Sequence, residues 1–285
     1  MTETWTVRSL LQWARDWLAK KGVENPRLDA ELLLAHALGC DRVRLYVDTD
    51  KPLGAAELAR FKPLIQRRGA REPVAYILGT KEFYGRPFEV EKGVFIPRPE
   101  TELLVRLALE HLDEGASARG LDLCSGSGAV GITIAAERPL AQMDLVELSS
   151  EAAGVAERNA QKHAPGRVRV LRGDLFAALP EAVRYDVITA NPPYVPTVHG
   201  RQLAPDILDH EPHAALFAGE DGLSVIRRIA AGLPDWLRHG ATFVAEIDPS
   251  QGAAVAGLLR GAGLVEVHVE RDLAGLDRQV IGTGA

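Results

Sequence analysis

The sequence predicts an α/β protein: a mostly parallel, Rossmann-like seven-stranded sheet, preceded by a small all-α domain and a β-hairpin linker. Three observations predict it. From about residue 120, short apolar runs alternate with longer amphipathic segments, the pattern of a doubly wound parallel sheet. The first 75 residues carry apolar positions at helical spacing. The 285 residues, 46% of them hydrophobic, suffice for two cores.

The helical domain is placed at 1–75. Thr6 is positioned to cap a first helix, with Leu10, Leu11, Ala14, Trp17 and Leu18 on one face and Gly22 ending it. Asn25-Pro26 opens a second helix, with Leu28, Leu32 and Leu33 as its stripe up to Gly39. A third fits Ala55 to Arg68, closed by Gly69. Such stripes are core, so any function here is recognition of a protein partner. Residues 76–96 are placed as the linker, with β-prone runs from Tyr76, from Phe83 and at Val94–Ile96.

The sheet domain is placed at 97–285, entered through Pro97-Arg98-Pro99-Glu100 and a helix from Glu102 to Leu112. Strands are expected at 120–123, 142–146, 168–171, 186–190, 241–247, 265–269 and 279–282. Helices are expected at 129–137, 150–163, 223–237 and 251–262.

Charge narrows the function. Residues 1–75 carry 13 basic and 10 acidic residues, leaving 20 basic and 29 acidic for the remainder. A body with a net charge of -9 is a poor match for a phosphate backbone. Two cysteines, Cys40 and Cys124, offer neither a disulfide framework nor zinc-ligand spacing, which fits a reducing cytoplasm and predicts no metal. The N-terminus lacks the pattern of a signal peptide, and no stretch approaches the length of a membrane span.

Four strand ends carry the candidate chemistry. The first expected strand runs into Cys124-Ser125-Gly126-Ser127-Gly128, a turn whose glycines allow close approach of a ligand. Glu147 closes the next strand, 21 residues beyond Gly126, where a carboxylate can accept from both hydroxyls of a ribose. The third leads to Asp174-Leu175, an acid and an apolar neighbour suited to the edge and face of an adenine. Together they form a nucleoside site, equally compatible with a nicotinamide dinucleotide and S-adenosylmethionine. The fourth ends in Asn191-Pro192-Pro193-Tyr194. Proline stops the strand. The Asn191 side-chain oxygen and the Pro192 carbonyl can each accept one hydrogen of a planar NH2 group, and Tyr194 can stack on it. This favours a methyltransferase, with amide and adenine targets both open.

The chain resembles the S-adenosylmethionine-dependent protein glutamine N5-methyltransferases of peptide chain release factors (the HemK/PrmC family). The resemblance spans nearly its whole length: Pro73-VAYILG79, Phe83-YGRPF88, Ile96-PRPETE102, Asn191-PPY194, Glu211-PHAALFAGEDGL223 and Asp272-LAGLDR278. It implies that Asn191, Pro192, Pro193 and Tyr194 hold the substrate glutamine of a Gly-Gly-Gln tip. It implies that Cys124, Ser125, Gly126, Ser127, Gly128, Glu147, Asp174, Leu175 and Asn191 line the cofactor. The helical domain would grip the release factor, with no direct nucleic acid, no membrane and a monomeric state expected. Cys124 stands where the family usually has Gly, Glu147 where it has Asp, and His210 where Tyr is common. The readings beside this one are a ribosomal-protein glutamine and, further off, adenine N6 in nucleic acid. Arg98, Glu100 and Glu246 remain outside the expected site. For Arg98 and Glu100, a salt bridge tying linker to sheet domain is the rival reading.

Overall fold

A computed structural model describes residues 4–180 and 183–285. It divides into two compact units, residues 1–80 with 204–210, and residues 81–203 with 211–285.

The first unit is helical: α1 (Val7–Lys20), α2 (Pro26–Leu38), α3 (Arg42–Val47), α4 (Ala55–Gly69) and α5 (Val74–Leu78). Thr6 caps α1 as its spacing predicts. Its hydroxyl accepts from the Ser9 N–H and the Ser9 hydroxyl accepts from the Thr6 N–H, a reciprocal box. The buried stripe of α1 is Val7, Leu10, Ala14 and Leu18, with Leu11 and Trp17 half-buried at its margin. On α2 the expected stripe is out of phase. Leu28 is exposed and Leu32 half-buried, because Ala30, Leu33, Leu34 and Ala37 take the core face. The run from Tyr76, expected as β-prone, lies in α5 (Val74–Leu78) instead: Pro73 starts it, Gly79 in the left-handed region stops it, and Tyr76 and Ile77 are buried.

The single turn Pro205–Leu208 belongs to this unit. Arg68, 5% exposed, donates to Asp29 at 2.6 Å and pairs with Asp206 at 2.6 Å, and Arg71 also binds Asp206. Two guanidinium groups thus balance two carboxylates, and Arg68, shared between them, ties residues 204–210 to α4.

The second unit begins with the hairpin β1 (Thr80–Phe83) and β2 (Arg86–Glu89). Val94 and Ile96 are buried without joining a strand, contrary to the expected third run. There follow α6 (Glu102–Glu110), β3 (Arg119–Leu123), α7 (Ala129–Glu137), β4 (Gln142–Glu147), α8 (Ser150–His163), β5 (Val168–Arg172) and β6 (Tyr185–Ala190). The chain closes with α9 (Ser224–Trp236), β7 (Leu237–Glu246), α10 (Gly252–Gly261), β8 (Val265–Arg271) and β9 (Asp277–Thr283). The strand order is β5-β4-β3-β6-β7-β9-β8. The first five are parallel, and β9 runs antiparallel between β7 and β8. One core packs α6, α7 and α8 on the sheet, the other α9 and α10. The order reverses between β3 and β6, so the crevice for a ligand lies beyond their carboxyl ends. Among the described residues, no helix is long and apolar enough to cross a membrane.

Replacing Arg68 by Ala strands the buried Asp29 and leaves Asp206 to Arg71 alone. Arg68→Ala is expected to lower unfolding free energy by about 3–5 kcal/mol, read from urea denaturation. A loss within experimental error of zero contradicts that role.

Candidate active site

The parallel strands deliver their carboxyl ends to one edge, and every expected site residue lies there. After β3 the chain turns sharply. Cys124 adopts φ +57°, a conformation that glycine enters without cost, and its side chain is half-buried against the core. Burial and the nearby Glu147 push its thiol pKa up, so it is no nucleophile. Ser125 donates its N–H to Val146 C=O, and Gly128 donates to Ser125 C=O. The two glycines do different work. At Gly126, φ +55°, an added Cβ meets only Phe95, at 4.0 Å. At Gly128, φ +80°, it would meet Ile132 of α7 at 2.5 Å and Leu145 of β4 at 3.1 Å, so this glycine lets the start of α7 lie close to the sheet.

Beneath the turn lies Asp122, 1% exposed. Its carboxylate accepts from the Thr189 hydroxyl of β6 at 2.8 Å and from the Gly131 N–H of α7 at 3.1 Å. It pins the start of α7 to the two central strands. Ser127 is buried, and its carbonyl accepts from Asn159 of α8 at 2.9 Å. Asn159 also exchanges hydrogen bonds with the Glu89 backbone, joining hairpin and turn. Neither Asp122 nor Asn159 was among the expected site residues. A buried polar residue inside a strand was the available signal for Asp122, and a lone Asn on a helix gave none.

Glu147 accepts the Gly126 N–H at 2.8 Å on one oxygen and the Ser149 N–H at 2.9 Å on the other. Each oxygen keeps lone pairs for an outside donor. Asp174 pairs with Arg228 at 2.7 Å. Leu175 is buried in the core at φ +49°, whereas Leu148, beside Glu147, is an exposed large apolar side chain.

Asn191 follows β6. Its amide nitrogen donates to the Thr101 hydroxyl at 3.3 Å. Thr101 in turn donates to Glu246, at the end of β7, at 2.7 Å, and the Tyr194 hydroxyl donates to the other Glu246 oxygen at 3.3 Å. Glu246 is 1% exposed, and burial raises its pKa above the usual carboxylate value. Burial, then Glu246, raises the Tyr194 phenol. The loop is braced behind the site. Gln251 donates to Tyr194 C=O at 3.0 Å, and Val195 bridges to residues 216–218. Arg98 pairs with the buried Glu211, which also accepts the Ile96 N–H, so Arg98 serves to hold residues 96–98 in place.

The residues fit a sulfonium nucleoside on this structure's own evidence. The Ser125 hydroxyl is buried without a partner among the described residues, Gly126 borders open space, and Glu147 has acceptor capacity to spare.

Fold and strand-end residues together define the class: an S-adenosylmethionine-dependent methyltransferase. Residues 9–79 match the family model "PrmC N-terminal domain" and residues 88–221 "Methyltransferase small domain". The 16S rRNA N2 G1207 methyltransferase of T. thermophilus, solved in complex with AdoMet and guanosine, shares the fold at TM-score 0.52 and 21% identity, over 72% of this chain and 50% of that one. Curated relatives match this chain over most of its length. The release factor glutamine methyltransferase of Geobacter sulfurreducens is 43% identical over 280 residues, 98% of this chain and 97% of that protein. Its counterpart from Burkholderia pseudomallei is 44% identical over 256 residues, 88% and 90% of the two chains. The chain belongs to the release factor glutamine methyltransferase family.

Burial raises the Asp122 carboxyl from 3.8 to about 7. The unfolded chain ionises this group near its ordinary value, the folded chain only near 7. Between the two the folded state binds more protons, so stability falls as pH rises. The stability of the wild type relative to Asp122→Asn is expected to fall by about 2–4 kcal/mol across that window, measured by chemical denaturation. A difference independent of pH contradicts the assignment.

Proposed function

We propose that this protein methylates the side-chain amide nitrogen (N5) of the glutamine in the Gly-Gly-Gln motif of peptide chain release factors. The observation that carries the reading is the orientation of Asn191. Its NH2 is turned to Thr101, which leaves its oxygen, among the described residues, available to an outside donor. That oxygen and the Pro192 carbonyl accept the two hydrogens of the target amide, as one rigid pair. The adjacent prolines fix φ on both residues and stiffen the loop. Holding both N–H groups orients the nitrogen, and two acceptors draw electron density onto it, a combination worth several kcal/mol when geometry is right. Bound S-adenosylmethionine supplies a sulfonium methyl that transfers as a cation, the electron pair of the breaking bond staying on sulfur. Cys124 to Gly128, Glu147, and the Asp174-Leu175 pair hold that cofactor, with Glu147 accepting from the ribose. The target nitrogen gains one methyl, gives up one proton to water and ends as a secondary amide. It then fills only one of the two acceptors, which favours release after a single transfer.

The helical unit grips the release factor away from the reacting glutamine. The protein works as a monomer in the cytoplasm, where its substrate acts. The acidic balance of residues 76–285 speaks for a protein rather than a nucleic-acid acceptor.

Asn191→Ala is expected to lower kcat at least about 100-fold while cofactor affinity, measured by calorimetry with S-adenosylhomocysteine, is largely kept. Glu147→Ala is expected to weaken that affinity roughly 10- to 100-fold, the worth of losing charged hydrogen bonds. In a competition for labelled methyl between release factor, the same factor with its Gly-Gly-Gln glutamine replaced, and duplex DNA, label should enter the intact factor alone. Label in DNA, or equal label in the replaced factor, overturns the reading.

A further inference from the structure

We infer that Thr101 and Glu246 are positioning residues that set which way the Asn191 amide faces. The inference deepens the proposed function and rests on it for its kinetic consequence. Its logic is the hydrogen inventory of one hydroxyl. Thr101 has a single hydrogen to donate. It is donated to Glu246 Oε2 at 2.7 Å, so the hydrogen is committed there. What remains on Thr101 is acceptor capacity alone. The part of Asn191 that faces it, at 3.3 Å, must therefore be the NH2. The amide oxygen is left for the substrate. Were the hydroxyl absent, nothing in this chain of bonds would distinguish the two faces of the amide. A flipped Asn191 would present a donor to a group that itself only donates, and the clamp would repel its target.

The surroundings keep this order. Thr101 is 3% exposed, at the end of the 3-10 turn Pro99–Thr101, and its N–H donates to Arg98 C=O at 3.1 Å. Arg98 is itself pinned by Glu211. Glu246 reaches the same loop twice, through Thr101 to Asn191 and directly to the Tyr194 hydroxyl. A single buried carboxylate thus fixes both ends of the Asn-Pro-Pro-Tyr segment. Among the described residues Glu246 makes no direct salt bridge, so its hydrogen-bonding capacity goes to these two hydroxyls.

The test uses the full-length protein, with two readouts. Thr101→Val keeps the shape and removes the hydroxyl. It should lower kcat on the release factor by about 10- to 100-fold, the cost of misplacing one reacting group, with the S-adenosylhomocysteine Kd unchanged. Thr101→Ser, which restores the hydroxyl, should recover most of kcat. Glu246→Gln, which offers Thr101 either a donor or an acceptor, should lower kcat with the same unchanged Kd. Independently of any acceptor, the Asn191 side-chain NH2 resonances should exchange slowly with solvent in the wild type and faster in Thr101→Val. Wild-type kcat in both Thr101→Val and Glu246→Gln overturns the inference. So does a Thr101→Ser no better than Thr101→Val, or amide exchange the same in wild type and Thr101→Val. A wild type that transfers nothing to the release factor overturns the proposed substrate instead, and the exchange measurement still decides the relay.

Discussion

Everything at this site depends on β3 pairing in parallel with β4 on one side and β6 on the other. Parallel strands all end at the same edge. The reversal of strand order at β3 sends the helices that follow to opposite faces, the topology at which such folds bind ligands, and sets the turn after β3 beside the loop after β6. The turn, Glu147, Asp174 and Asn191 are distant in sequence and meet only because of this pairing. Asp122 holds the junction itself, joining β3, β6 and the start of α7 through one buried carboxylate. Its raised pKa shows what that position costs: a carboxyl kept from water near neutral pH.

The chemistry assigned to the loop after β6 asks for rigidity and for a defined order of donors and acceptors. Proline supplies rigidity, but it cannot choose between the two faces of a neighbouring amide. That choice falls to groups behind the loop. Thr101 comes from the segment entering α6, Glu246 from β7, and Gln251 from the start of α10. The Asn-Pro-Pro-Tyr loop is therefore braced from three separate elements at the sheet edge.

Much of this was legible in the sequence, for physical reasons. Strands buried on both faces read as apolar runs, and their order with helices fixed the fold class. Glu147 and the Asn-Pro-Pro-Tyr segment stood out because a strand end is where polarity returns. What stayed hidden depended on tertiary contacts. The β-prone run from Tyr76 became part of a helix because Pro73 and Gly79 bound it and Tyr76 and Ile77 found a core. Leu28 faces outward because its neighbours at 30, 33, 34 and 37 took the buried face. Gly128 reads as a ligand-approach glycine, and its packing against Ile132, Leu145 and Ala156 adds a second reason for it that only the fold reveals. Glu246 was visible as a strand-end acid, yet its partners Thr101 and Tyr194 lie 145 and 52 residues away. Nothing local to any of the three announces the link. Residues 204–210 group with the helical unit through Arg68 and Arg71, which no spacing reveals.

The central claim is that the Asn191–Pro192 pair presents an amide nitrogen, and no other atom, for methylation. The most direct measurement is tandem mass spectrometry of release factor after reaction with the wild-type protein and S-adenosylmethionine. The account predicts a single methyl on the side-chain amide nitrogen of the Gly-Gly-Gln glutamine. A methyl on another residue, or two methyls on that nitrogen, would contradict it.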